Sequence, residues 1–258
     1  MGWKCAFVVV SNTEEKDPEA LLRELGYGNL SPAAADSFDV AMYPRDGKAY
    51  VGHFNGHLVI ADEFLAIESL EEGLNDQEQV LLNRYPGSEI ASFSLHSVTN
   101  FWGYSLVRNG QKIRLRAGFS NDGVIMEEGD PLPEEAELLS KSKVNAEGIR
   151  EYWLDDDQEE PYEDAEVGEE FVFQLASRYF DRPLDHADNL IFETKLQAWR
   201  VAASDATDSD SSRRRRPSEN IDPTVASNAE EKSSKKWIYI GIAIFIIVRL
   251  LRAFLRGD

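Results

Sequence analysis

Hydrophobic and polar positions alternate in recognisable periods along residues 1–201. Lys4–Val10 (KCAFVVV) is a nearly continuous apolar run ended by Ser11-Asn12, which predicts a strand buried on both faces. Asp17-Pro18 opens a short helix through Leu25, with Gly26 as its stop, and Phe38–Tyr43 reads as another strand. Ala49–His53 and His57–Ala61 flank Asn55-Gly56, the signature of a type I′ hairpin. Asp62–Leu70 and Asp76–Arg84 have helical spacing, the second ending before Tyr85-Pro86-Gly87. Glu89–Leu95, Phe101–Val107 and Gln111–Phe119 alternate apolar and polar residues around a second turn at Asn109-Gly110, and Val124–Glu127 adds a short run. Asp164–Phe180 is the clearest helix, because Val167, Phe171, Leu175 and Tyr179 recur every four residues. Leu190–Val201 alternates and closes the domain as a strand. Hairpins with helices interspersed predict an α+β class: a single domain over 1–201 with a largely antiparallel sheet and flanking helices.

Periodicity then stops. Residues 202–236 are rich in Ser, Asp, Asn, Glu and Ala and offer too little apolar surface to fold, so a disordered linker is expected. Within it Arg213–Arg216 forms a basic block that reads either as a contact for anionic headgroups or as a solvated charge run beside Asp205, Asp208 and Asp210, a nuclear signal or nucleic-acid arm being the sharper alternative. Residues 237–255 read as a transmembrane or membrane-anchoring helix. Trp237–Val248 is uncharged, but at 1.5 Å per residue it reaches only ~18 Å, short of a hydrocarbon core. Extension to Leu255 gives ~28 Å and places Arg249 and Arg252 inside the span, close enough to its end to snorkel. Lys235, Lys236 and Trp237 suit one interface, and Arg249, Arg252 and Arg256 share one helical face toward the other. The same helix would also lie in the interface plane as an amphipathic segment. The N-terminus has only a six-residue apolar run and no myristoylation pattern, so the expectation is a single-pass, tail-anchored protein with its large domain in the cytosol.

Charge sharpens the contrast between the two parts. Residues 1–202 hold 39 acidic and 17 basic side chains, a net −22, while residues 203–258 carry +2. A body that negative repels phosphate backbones, so no nucleic acid partner is expected; the expected partners are the lipid bilayer and a protein still to be identified. Cys5 is the only cysteine and sits within the first apolar run, where it reads as core and allows no internal disulfide.

Candidate chemistry is sparse. His53 and His57 flank the Asn-Gly turn and would meet across the hairpin as half of a zinc site, a third ligand coming from elsewhere. His186 reads as surface. His96, in SLHSVTNFWGYSLV, follows a strand and precedes polar and aromatic residues, making it the one candidate general base. Two carboxylate groups, Glu127-Glu128-Gly129-Asp130 and Asp155–Glu160, lack the spacing of a calcium loop and read as solvated loops, the first leading into a helix. No P-loop, nucleophile elbow, dinucleotide glycine pattern or cysteine pair occurs, so no cofactor is expected.

The segment His96-Ser97-Val98 leading into Phe101-Trp102 resembles an uncharacterised bacterial family, a domain of unknown function. Met1-Gly2-Trp3-Lys4, Asp122-Gly123-Val124-Ile125 and Gly129-Asp130-Pro131-Leu132 stand where that family has its opening, its Asp-Gly-x-Ile stretch and its Pro-Leu loop. Family members have Asp and Trp where this chain has Asn100 and Phe101, and an aromatic where Glu134-Glu135 stands. The resemblance spans about residues 1–201 and implies no activity. The reading that results is a membrane-tethered, cytosol-facing interaction or scaffold domain. The alternative is a hydrolase-like enzyme with a site around His96 and the Gly129–Asp130 loop, and a weaker one is divalent-metal binding by the acidic loops.

Overall fold

Strand β1 (Lys4–Val10) is buried along nearly its whole length, as an apolar run of that kind requires. Helix α1 (Pro18–Glu24) follows, capped by Asp17, whose carboxylate accepts from Ala20 N at 3.0 Å. Then come β2 (Asn29–Pro32), β3 (Asp36–Ser37), helix α2 (Phe38–Ala41), and the hairpin β4 (Lys48–Phe54) and β5 (His57–Ala61). Asn55 and Gly56 both take positive φ, 49° and 77°, the backbone of a type I′ turn. Helices α3 (Glu63–Glu68) and α4 (Asp76–Arg84) begin at side-chain caps, Asp62 for the first and an Asn75/Glu78 capping box for the second. A meander of β6 (Ile90–His96), β7 (Phe101–Arg108), β8 (Gln111–Phe119) and β9 (Gly123–Glu128) leads to the short helix α5 (Ala136–Ser140). A small sheet of β10 (Ser142–Val144), β11 (Arg150–Tyr152) and β12 (Tyr162–Glu163), helix α6 (Gly168–Phe180) and strand β13 (Lys195–Ala202) complete the domain.

This computed structural model describes residues 3–202 apart from 46, 120–122, 156 and 165. The linker and anchor expected at 202–236 and 237–255, with Lys235, Lys236, Trp237, Arg249, Arg252 and Arg256, therefore lie outside the described residues, Ala202 apart. No helix among those described is long and apolar enough to cross a membrane.

The main sheet runs β2-β13-β4-β5-β1-β6-β7-β8-β9, with β3 also on β13, and every pairing is antiparallel. Period-two alternation sorts β1 onto two cores. Cys5, Phe7 and Val9 join Phe93, Leu95, Trp102 and the apolar face of α6, while Ala6, Val8 and Val10 meet Leu21, Leu22, Leu65 and Leu81 from α1, α3 and α4. Helices thus cover both faces, and the α+β antiparallel class read from the sequence holds. Cys5 is 1% exposed, and burial pushes its thiol pKa up, so it is core.

Three elements differ from expectation. Phe38–Tyr43 is not a strand: Phe38–Ala41 winds into α2, because burying Phe38 and Ala41 together needs the i, i+3 spacing of a helix. Leu190–Val201 divides into a π-helical turn over Asn189–Glu193 and the strand β13, since the adjacent residues Leu190 and Ile191 are both buried and a strand would send them to opposite faces. Helix α6 starts at Gly168 rather than Asp164, whose carboxylate is engaged by Arg116 and Tyr152 instead.

Candidate functional site

His53 and His57 do not form a metal pair. The two-residue turn sets the register His53↔Leu58 and Phe54↔His57, and alternation then sends the two imidazoles to opposite faces of the hairpin. Each accepts from the loop after β1: His53 Nε2 from Glu15 N at 2.8 Å, and His57 Nδ1 from Asn12 N at 3.0 Å. Thr13 N donates to Gly56 O at 2.9 Å between them, so the loop is held from both sides of the turn. The His57 ring stands edge-on to Tyr179, and burial lowers its pKa against the pull of Asp181. Burial opposes ionisation of Glu15, but hydrogen bonds from Arg84, Tyr85 and Asp17 N outweigh it and hold its carboxyl down to about 2. His186 is exposed on its own turn beside Asp185. No cluster of three potential metal ligands occurs among the described residues.

His96 stands at the end of β6, opposite Lys4 of β1 and Phe101 of β7. Strand β5 pairs with β1 only from Phe7↔Ala61 onward, and the free amide of Ala6 donates instead to Met42 O at 2.7 Å. The segment between α2 and β4 therefore crosses the end of β1 and brings Tyr43 to His96. Thr99 Oγ1 donates to the His96 carbonyl at 3.2 Å and lies 3.0 Å from Nδ1. With its one hydrogen used, that hydroxyl accepts from Nδ1–H, which leaves Nε2 to accept from the Tyr43 hydroxyl at 3.3 Å. Burial, then the Lys4 charge, lowers the pKa of His96. Burial and Glu63 raise that of Tyr43 against Arg45. The pair is a neutral imidazole on a neutral phenol, with no carboxylate on Nδ1 to orient a base.

Tyr43 also lines a shallow cleft of about 320 Å³ together with Asp39, Val40, Arg45, Lys48 and Tyr50. Lys4 Nζ lies 5.2 Å and Arg45 Cζ 4.7 Å from the Tyr43 ring centre, both within cation–π range. Lys48 is matched by Asp36 at 3.5 Å, which also accepts from Tyr50 OH at 3.0 Å, and Asp39 accepts from Ser37 Oγ. Among the described residues Lys4 and Arg45 have no carboxylate partner.

The Gly129–Asp130 loop is elsewhere. Strand β8 faces His96 through Phe101↔Phe119 at one end, while Gly129 lies against Ile113 and Arg114 about five residues along, roughly 17 Å away. The structure does not bring His96 and that loop together. The loop is held by Arg114, which is 1% exposed. Its Nε and Nη2 meet the two oxygens of the equally buried Glu135 at 2.8 and 2.7 Å, Nη1 reaches Gly129 O at 2.9 Å, and Nη2 also reaches Glu127 at 2.9 Å. Two residues on, Arg116 pairs with Asp164 and lies 4.4 Å over the Phe171 ring. Asp130 and the described carboxylates of the 155–160 tract are exposed, as solvated loops are.

Sequence reasoning missed the residues that line the cleft, including the Tyr43 that meets His96, and both buried arginines. The Phe38–Tyr43 run, read as a strand, hid the crossing that delivers Tyr43; the signal available was Tyr43-Pro44-Arg45, an aromatic and a cation about a proline. No curated protein and no solved structure matches the chain. A family model matches residues 9–198, and the chain belongs to that family, a family of unknown function (DUF6928).

Proposed function

We propose that the chain is an interaction domain, residues 1–201, held at the cytosolic face of a membrane by residues 237–255 through the linker 202–236. The tether rests on the apolar run Trp237–Val248 flanked by Lys235 and Lys236 on one side and by Arg249, Arg252 and Arg256 on the other. The observation that favours recognition over turnover is the environment of His96: hydroxyls on both ring nitrogens, no orienting carboxylate, and a phenol that stays protonated. A base–nucleophile pair needs the opposite, a polarised imidazole facing a group whose pKa is driven down. His53 and His57 are likewise committed to backbone amides.

The test is fractionation of cells expressing the full chain and a version truncated after Ala203, with membranes washed in high salt and then in alkaline carbonate. Retention of the full chain alone in the carbonate-washed pellet is the expected result. Release of the full chain by salt would mean a peripheral association and would overturn the tether.

A further inference from the structure

We propose that the cleft beside Tyr43 is a binding site for a phosphate monoester, with Lys4 and Arg45 supplying its charge and Tyr43 and His96 framing its edge. The domain carries 39 carboxylates and 17 basic groups, and nine of those cations have a carboxylate partner among the described residues. Arg23, Arg84, Arg108, Arg114, Arg116, Lys112 and Arg178 are all ion-paired. Among the described residues Lys4 and Arg45 are not, and what sets these two apart is that they converge on one ring from separate elements, β1 and the segment before β4. After burial, the Lys4 charge lowers the pKa of His96, and Arg45 opposes the rise in that of Tyr43.

Two unmatched cations fit a ligand of about two negative charges, which a phosphate monoester carries near neutral pH and a carboxylate does not. The guanidinium fork of Arg45 suits two phosphate oxygens, and the Lys4 ammonium a third. Among the described residues Glu63, which raises the pKa of Tyr43, Asp39, and Asp36, which is engaged by Lys48 and Tyr50, are the acidic groups at this place. They select for a ligand seated on the Lys4–Arg45 side. A bound dianion would reverse the effect of Lys4 on His96, and the imidazole, a neutral acceptor in the free protein, would take up a proton.

This inference stands whether or not the tether holds, and its test uses the full chain in neutral detergent. The His96 Cε1–H resonance, assigned with His96→Gln, is titrated with pH in the presence of inorganic phosphate, glycerol phosphate, or sodium chloride of equal ionic strength. A further arm has phosphatidic acid in the micelles. With phosphate, the apparent pKa of His96 is expected to rise by about one unit, since a dianion at cleft distance acts on it through partly solvated space. Lys4→Ala and Arg45→Ala are each expected to weaken binding about tenfold, the loss of one charge-assisted contact. A shift with the soluble ester points to a free phosphorylated metabolite; a shift only with phosphatidic acid points to a lipid headgroup. A response no larger than that to sodium chloride, or one that survives the Lys4→Ala/Arg45→Ala double change, would overturn the site.

Discussion

At the β4–β5 turn two imidazoles accept hydrogen bonds from the backbone of the loop after β1; at the β8–β9 edge of the sheet two guanidiniums donate to the loops around them. Both arrangements fasten irregular chain to the sheet, but they fail differently. An imidazole that loses its bond to an exposed amide leaves groups that water can satisfy. A guanidinium buried to 1% whose carboxylate is removed leaves a charge with no solvent to turn to. The residue types that suggested chemistry in the sequence serve as modest clasps, and the arginines that suggested nothing hold deeply buried charges.

The largest effect therefore belongs to Arg114. Arg114→Ala strands Glu135 and frees Gly129 O, and it is expected to lower unfolding free energy by about 3–5 kcal/mol. Arg114→Met combined with Glu135→Gln removes both charges and is expected to recover most of that loss, measured from urea midpoints of the full chain. A double variant as unstable as the single one would show that the geometry of the loop, and not an unpaired charge, sets the cost.

That arginine was hidden in the pattern that made the strands legible. Asn-Gly turns, the helical spacing of Asp76–Arg84 and the apolar run of β1 are local signals, and the elements they mark are where they were expected. In Gln111–Phe119 the same alternation was legible as a strand, but polar positions ordinarily mark the solvent side. Here Arg114 and Arg116 share a face with Trp102, Tyr104 and Leu106 under α6, because Arg114 opposes Leu106, Arg116 opposes Tyr104 and Gly118 opposes Trp102. The carboxylates that make this possible, Glu135 and Asp164, are 21 and 48 residues farther along the chain. Pairing over such distances leaves no periodic trace. The His96 candidate was legible as a residue and not as a site, since Tyr43 and Arg45 reach it only through the crossing at Met42.

The arginine end is also closely packed at the start of α6. A Cβ on Gly168 would collide with the Trp102 indole, beneath Arg116 and at the first turn of α6. Gly168→Ala is expected to cost about 1–3 kcal/mol as an overpacking change. Gly28, with open space around its missing Cβ and no positive φ, is the control: Gly28→Ala should stay within about 0.5 kcal/mol. Equal losses at the two glycines would mean that the Trp102 contact relaxes freely.

The smallest effect sits at the histidine end and is distinguished by its sign with pH. Burial holds the folded-state pKa of His57 below its ordinary 6.5, so as pH falls the unfolded chain takes up the proton first. The contribution of His57 is then fully present above about 6.5 and is lost as pH falls from there through the folded-state value. His57→Phe keeps a ring against Tyr179 but removes the acceptor for Asn12 N, and is expected to cost about 0.5–1.5 kcal/mol at pH 7.5. The same variant should lose less stability than the parent between pH 7.5 and 5.5, because its folded state no longer excludes that proton. Urea midpoints at the two pH values decide the matter. A variant whose midpoint falls as steeply as the parent's would place the acid sensitivity in other groups, and a cost above about 3 kcal/mol would show that the imidazole clasp is as consequential as the buried arginine.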